Sequence, residues 1–469
     1  MDRRSFLSSL AYFSGGLALA GTSLARRASA LEKEGEFEAL RAFGYGKLAP
    51  TAATNTGEMI LALPSGFQYQ VIGRAKGMMS DGRPTPPLHD GQWTFKVGRE
   101  LRIVRNHEVS NLSLPRDNAG IGSRNHYDEA AGGGTTTMVI DPRTNTVVRD
   151  WVSLSGTLIN CAGGPTPWGS WISCEETTLG KTVRTRADGR KTGGFLKPHG
   201  YCFEVPAAFN SEVVPVPLKA MGRFVHEAIA VERDTGIVYL TEDFNPSGFY
   251  RFIPKRKARL AEGGTLQMLV VDGKASYDTR TKQKIGQAPL PASWVTIDDP
   301  DPESADVDQS SVHKQGAAKG GAAFSRLEGC EIDRKGNVYF SATSGGDNRG
   351  GQIWVFSPSG RDRGYLRLAF ESPDPEILHM PDNLAMMPHT DLLVICEDSN
   401  YGGEKAINHL RILTPTGQMA DFAVNINKEF PRSEFAGSCF SPDGKTLFVN
   451  SQTAGITLAI TGDWKKFKA

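Results

Sequence analysis

Short apolar runs and polar turns alternate through most of the chain. His226-Glu227-Ala228-Ile229-Ala230-Val231 leads into Asp234-Thr235-Gly236, and Ile237-Val238-Tyr239-Leu240-Thr241-Glu242 follows. Leu327-Glu328-Gly329-Cys330-Glu331-Ile332 leads through Lys335-Gly336 to Val338-Tyr339-Phe340. Pro381-Asp382-Asn383-Leu384-Ala385-Met386 precedes Leu392-Leu393-Val394-Ile395-Cys396-Glu397, and Glu434-Phe435-Ala436-Gly437 precedes Thr446-Leu447-Phe448-Val449-Asn450. Each unit predicts a strand, a Gly or Asp turn and a second strand, the signature of a β-hairpin.

Two earlier segments, ending at Glu108 and beginning at Asn160-Cys161, extend the series. With Glu108, Cys161, Glu227, Glu328, Asp382 and Glu434 as markers, the steps are 53, 66, 101, 54 and 52 residues. A period near 53 suits a propeller blade of three or four strands. The long step predicts an insertion at about 255–323. The expected fold is an all-β, six-bladed β-propeller with inserted loops, forming one domain over 31–469.

Composition agrees. Gly (52) and Pro (27) favour tight turns over helix bundles. A net charge of +1 argues against a strongly basic nucleic-acid-binding protein. Beyond the N-terminus no apolar run is long enough to span a membrane. At the N-terminus, Arg3-Arg4-Ser5-Phe6-Leu7, the apolar stretch Leu10 to Leu24 and Ala28-Ser29-Ala30 read as a twin-arginine export signal over 1–30. The expected location is therefore periplasmic or secreted, reached through the twin-arginine machinery. The chain should act as a monomer.

The repeat phases acidic residues. Glu108, Glu227, Glu328, Asp382 and Glu434 mark strand starts; Glu175 follows Cys161 by 14 residues, and Glu242 and Glu397 follow Glu227 and Asp382 by 15. In a propeller these positions converge on the axis. Carboxylates packed there without cations repel and are poorly solvated, so the pattern predicts several multivalent ions. Many oxygens and few histidines favour hard ions such as Ca²⁺ or Fe³⁺ over structural zinc. His107 and His226 read as packing or supporting groups. Six cysteines fit no zinc ribbon or small disulfide scaffold. Cys161 stands apart because it replaces a carboxylate in the series. Gly132-Gly133-Gly134 lacks the Gly-Lys-Ser/Thr ending of a nucleotide loop, and no Gly-x-Ser-x-Gly elbow marks a serine hydrolase.

The same residues carry a resemblance. Asn160-Cys161-Ala162-Gly163-Gly164-Pro165-Thr166-Pro167-Trp168-Gly169-Ser170-Trp171 with Cys174-Glu175-Glu176 resembles the signature of the PhoX-type alkaline phosphatases. Gly222-Arg223-Phe224-Val225-His226-Glu227, Leu240-Thr241-Glu242-Asp243, Phe324-Ser325-Arg326-Leu327-Glu328-Gly329, Pro381-Asp382-Asn383 and Cys396-Glu397-Asp398 continue it in order. The resemblance implies a phosphomonoesterase acting on small phosphate monoesters. It implies a pair of Fe³⁺ ions with two to three Ca²⁺ ions beside them. It implies metal ligands at Cys161, Glu175, Glu227, Glu242, Glu328, Asp382, Glu397 and Glu434, and phosphate contacts from Arg326 and Thr137. The alternatives are a propeller lactonase with one catalytic calcium, or an exported binding protein without catalysis.

Overall fold

A computed structural model describes residues 44–110, 123, 125–185, 189, 191–399 and 407–467. The twin-arginine segment expected at 1–30 lies outside these residues. The apolar runs become strands that pair antiparallel with their neighbours, as short turns require. The fold is all-β and propeller-like. Among the described residues one α-helix occurs, Ser311–Ala318.

The strands His89–Val97, Glu100–His107, Gly133–Asp141 and Thr146–Thr157 make one sheet. Asn160–Pro165, Ser170–Glu175 and Cys202–Pro206 make a second, with Cys202–Pro206 at its edge. A nine-stranded sheet follows, because Leu290–Thr296 pairs with Arg363–Glu371 and joins two sets of hairpins. The segment 255–323, expected as an insertion, supplies two of these strands, Gly264–Val271 and Leu290–Thr296, along with the helix.

The chain ends close the structure. Gln68–Arg74 pairs with Ile456–Thr461, and Leu61–Pro64 pairs with the last strand before the Phe435 hairpin, Met419–Asn425. Unfolding either end would therefore expose a sheet edge far away in sequence.

Among the described residues, six inner strands pack in a ring: His89–Val97, Asn160–Pro165, His226–Val231, Leu327–Ile332, Pro381–Met386 and Phe435–Phe440. Each packs against the next in chain order, and the last packs against the first. Apolar side chains fill the space between facing sheets. Phe249 stacks on Phe340 with ring centroids 4.1 Å apart. Where the inner strands approach closely, no side chain fits: a Cβ on Gly164 would lie 2.0 Å from the Ile229 carbonyl oxygen.

Candidate metal centre

Every inner strand breaks register with its partner near its start. The shifts fall between His89 and Gln92, Asn160 and Gly163, His226 and Ile229, Leu327 and Cys330, Pro381 and Leu384, and Ala436 and Cys439. A bulge of this kind re-aims a side chain. The second residue of five inner strands sits in it: Asp90, Cys161, Glu227, Glu328 and Asp382. In the sixth the shift lies one residue later, and the carboxylate comes from Glu434, just before the strand.

The ligand-type atoms gather into three groups, each within 4.8 Å: Cys161, Glu176 and Glu227; Glu227, Glu328 and Asp382; and Asp90, Glu108 and Glu434. Glu227 belongs to two of them. Both of its carboxylate oxygens are buried without a nitrogen or oxygen donor, and the Cys161 thiol is the hydrogen-bonding group beside them. Such atoms are costly unless something positive meets them.

The electrostatics agree. Burial, then the neighbouring carboxylates Glu328 and Glu176, pushes Glu227 far above the ordinary range. Burial and Asp90 do the same to Asp382 and Glu108. Burial and Asp243 raise Glu176 and Glu328, and burial and Asp398 raise Glu434. Asp90 rises to about 7, chiefly through burial. Burial and then Asp90 and Glu227 hold the Cys161 thiol well above its usual value. A set of groups that all resist ionisation together, yet include buried oxygens with no nitrogen or oxygen donor, fits bound cations.

Of the residues expected as ligands, the structure brings Cys161, Glu227, Glu328, Asp382 and Glu434 together. It does not bring Glu175, Glu242 and Glu397 to them. Successive strand residues face opposite sides. The hairpin-end acids come as doublets, and the second member, Glu176, Asp243 or Asp398, shares the carboxylates' surroundings.

The first members hold loops. Glu175 accepts from the Leu158, Gly200 and Tyr201 amides at 2.9, 2.8 and 3.1 Å, and from His199 Nδ1 at 2.6 Å. Burial opposes a charge on His199, but Glu175 and Asp128 outweigh it and raise His199 to about 9. Glu242 accepts from the Gly248 amide and the Tyr250 hydroxyl, both at 2.8 Å. Glu397 accepts from the His379 and His409 amides, both at 3.0 Å, and from Arg411 Nε at 2.9 Å. Arg411 and His409 overcome burial and hold Glu397 below the usual carboxylate range.

The residue that ends each hairpin donates its amide to the residue ahead of the inner strand. Glu108 donates to Leu88, Glu176 to Ile159, Asp243 to Val225, Thr343 to Arg326, Asp398 to Met380 and Gln452 to Glu434. Leu88, Ile159, Arg326 and Met380 have φ between 49° and 51°. Four non-glycine residues in this left-handed region at equivalent places mark strain beside a site.

Arg326 occupies that phase. It donates to both oxygens of Asp243 and, at 2.9 Å, to Glu328 Oε1. Thr137 lies elsewhere: it is mid-strand in the third strand of its sheet, opposite Val104 and Trp151. Its neighbour Thr136 accepts hydrogen bonds from Arg105 and contacts His107 Nε2 at 2.9 Å. His226 Nε2 donates to the Gly222 carbonyl at 2.9 Å, and burial keeps the ring neutral.

Asp90, Glu176, Asp243 and Asp398 were not among the expected site residues, and Glu108 was expected near the axis but not as a ligand. The doublets Glu175-Glu176, Glu242-Asp243 and Glu397-Asp398 carried the signal, since one member of each must face the axis. His89-Asp90-Gly91 repeats the pattern of His226-Glu227-Ala228.

The chain is similar in fold to several solved structures. The structure of Pseudomonas fluorescens PhoX in complex with vanadate, a transition state analogue, matches with a TM-score of 0.65 at 19% identity, covering 90% of this chain and 98% of that one. A Xanthomonas campestris gluconolactonase matches with a TM-score of 0.41 at 11% identity, covering 90% and 100%. A Bacteroides thetaiotaomicron protein of unknown function matches with a TM-score of 0.43 at 8% identity, covering 85% and 76%. No curated protein matches the chain by sequence. The family profile described as "Alkaline phosphatase PhoX" matches residues 43–455, and the chain therefore belongs to the PhoX alkaline phosphatase family, an enzyme family.

Proposed function

We propose that the chain is an exported, metal-dependent phosphomonoesterase that hydrolyses phosphate monoesters to an alcohol and inorganic phosphate. The observation that carries this reading is Glu227. Its two buried oxygens, with no nitrogen or oxygen donor, lie between a thiol-containing group on one side and an all-carboxylate group on the other, in a chain of the PhoX family.

The donor chemistry distributes the ions. Cys161 with Glu176 and Glu227 offers a soft sulfur and suits iron. Asp90, Glu108 and Glu434, and Glu328 and Asp382 around Glu227, offer oxygens alone and suit calcium. Bound there, the ions would supply Lewis acidity toward phosphoryl oxygens and neutralise charge on the leaving oxygen. Glu175, Glu242 and Glu397 support the site through the loops they anchor.

The protein's own contribution centres on Arg326. Asp243 grips one edge of the guanidinium and fixes its plane, and Glu328 fixes its tilt. A guanidinium so held presents a directed positive charge to a phosphate dianion without reorganising during the reaction. The strained backbone at Arg326 places that charge beside the carboxylate ring instead of along the strand. Thr137, on the third strand of its sheet, is the weaker candidate for a phosphate contact.

The ring of six inner strands supports a six-bladed propeller, with 31–469 as one domain. The twin-arginine pattern at 1–30 supports export of the folded protein to the periplasm or beyond, and among the described residues no helix is long and apolar enough to cross a membrane. We take the enzyme to be a monomer acting on small substrates.

Elemental analysis of the purified protein, together with phosphate release from p-nitrophenyl phosphate, tests the reading. Iron and calcium with turnover are expected. Calcium alone without turnover, in protein that hydrolyses a lactone, would favour the lactonase alternative. Full metal content with neither activity would favour a binding protein.

A further inference from the structure

Two cysteines outside the carboxylate groups lie in contact. Cys174 is the penultimate residue of the Ser170–Glu175 strand and Cys202 opens the Cys202–Pro206 strand, and they are direct partners in register. The Glu175 amide donates to the Tyr201 carbonyl at 3.1 Å. Hydrogen-bonded and non-hydrogen-bonded pairs alternate along an antiparallel ladder, so Cys174 and Cys202 form a non-hydrogen-bonded pair. In such pairs the Cα atoms lie about 4.5 Å apart, within the span a disulfide bridges. The sulfurs are 3.6 Å apart.

A hydrogen-bond acceptor stands beside them. His226 Nδ1 is 3.4 Å from Cys202 Sγ. Because Nε2 carries its proton to the Gly222 carbonyl, Nδ1 of the neutral ring is the acceptor and Cys202 is the donor. Both thiols are buried, and on the outer side of the Cys202 strand the Leu218 amide donates to the Cys202 carbonyl at 2.9 Å, so a reagent reaches the pair when this short edge pairing opens.

We propose that Cys174 and Cys202 are a redox-active dithiol that closes reversibly into a disulfide, bracing the strand that carries Glu175 and leads into Glu176. The oxidant is a small disulfide, R–S–S–R. Cys202 gives up its proton and its sulfur attacks one oxidant sulfur. The S–S bond breaks and the first RS⁻ leaves, taking up that proton as RSH. Cys174 then gives up its proton and attacks Cys202 Sγ in the mixed disulfide, expelling the second RS⁻, which leaves as RSH. Two thiols are oxidised by two electrons, and one oxidant is reduced to two thiols.

The test treats the metal-loaded enzyme with oxidised glutathione, quenches with acid and counts thiols after unfolding. Four of the six thiols should remain. The chain should lose about 2 Da, and a peptide map should join Cys174 to Cys202. Dithiothreitol should restore all six. Cys174→Ser should trap one glutathionyl adduct on Cys202, whereas Cys202→Ser should take none at Cys174. Retention of all six thiols in the unsubstituted enzyme, or a cross-link between any other pair, overturns the proposal. The result on the unsubstituted enzyme stands even where a variant fails to fold.

Discussion

Arg326 grips Asp243 through two parallel hydrogen bonds, Nε to Oδ1 at 2.9 Å and a terminal nitrogen to Oδ2 at 2.8 Å. Asp243 is the second member of a hairpin-end doublet, and Arg326 precedes an inner strand. The contact therefore crosses between adjacent hairpins and ties the residue expected to meet phosphate to the ring of carboxylates.

Arg326→Ala should lower turnover of p-nitrophenyl phosphate by about 30- to 1000-fold, or roughly 2–4 kcal/mol of transition-state stabilisation. Iron and calcium content should stay near that of the unsubstituted enzyme. If metal is lost in proportion to activity, Arg326 acts by holding Glu328 and not by meeting substrate. Asp243→Asn should weaken the grip and lower kcat more than it raises KM, because it loosens the position of the guanidinium and leaves its charge in place.

Metal removal should change the sign of the pH dependence of stability. Asp90 rises from 3.8 to about 7, and Glu108, Glu176, Glu227, Glu328, Asp382 and Glu434 are held well above their ordinary value. A carboxyl group raised on folding binds its proton more tightly when folded. Its contribution is complete below the unfolded value and is lost as pH rises through the folded value. The chelated protein should therefore melt at lower temperature at about pH 8 than at about pH 5. With cations bound the ionised form is favoured, and the loss toward high pH should disappear. Glu397, which is held low, acts only at more acid pH. Calorimetry of both forms across this range checks the sign.

The doublets separate site from support. Glu176→Gln should reduce metal affinity at the Cys161 group by at least ~10-fold. Glu175→Gln should instead leave metal binding largely intact and destabilise the fold. It leaves the His199 imidazolium without its 2.6 Å partner, a loss of about 3–5 kcal/mol for a broken buried pair. Urea unfolding and metal titration of the two variants should give opposite orders. Equal metal loss from both would mean that Glu175 also reaches the site.

The hairpin repeat was legible because strand and turn chemistry are local. The alternation that predicts Val238–Glu242 needs no knowledge of distant residues, and the phase of Glu227, Glu328 and Asp382 follows from it. What was not legible is which way each acid points. Glu175 and Glu176 are adjacent in sequence, yet face opposite sides of the strand, and only the partners that come from Leu158, His199, Gly200 and Tyr201 settle which one is held. Asp90 was hidden for a related reason. Glu108 was taken to mark its repeat, although the inner strand is the preceding one, His89–Val97, and Glu108 ends the next. Thr137 stands on the third strand of its sheet, and a local motif does not encode how many strands separate a residue from the inner one.

Cys161 offers the sharpest separation of ions. Its sulfur lies with Glu176 and Glu227 in a group that shares Glu227 with an all-oxygen group. Burial and the neighbouring Asp90 and Glu227 keep the thiol protonated when no cation is present. A thiolate there is sustained only by a strongly bound cation, and sulfur favours iron over calcium. Serine preserves the size of the side chain but offers a hydroxyl that ionises far less readily. Cys161→Ser should therefore abolish the visible charge-transfer absorption, lower iron content and cut turnover by about 100-fold or more, equivalent to roughly 2.7 kcal/mol. Calcium content should fall much less, because the Asp90, Glu108 and Glu434 group contains no sulfur. Cys330→Ala and Cys439→Ala change buried thiols packed in apolar clusters. They should keep both colour and iron, at a cost in stability alone. Absorption spectra and elemental analysis of the three variants decide the matter: a Cys161→Ser protein that retains iron, colour and turnover would place the iron among the carboxylates alone.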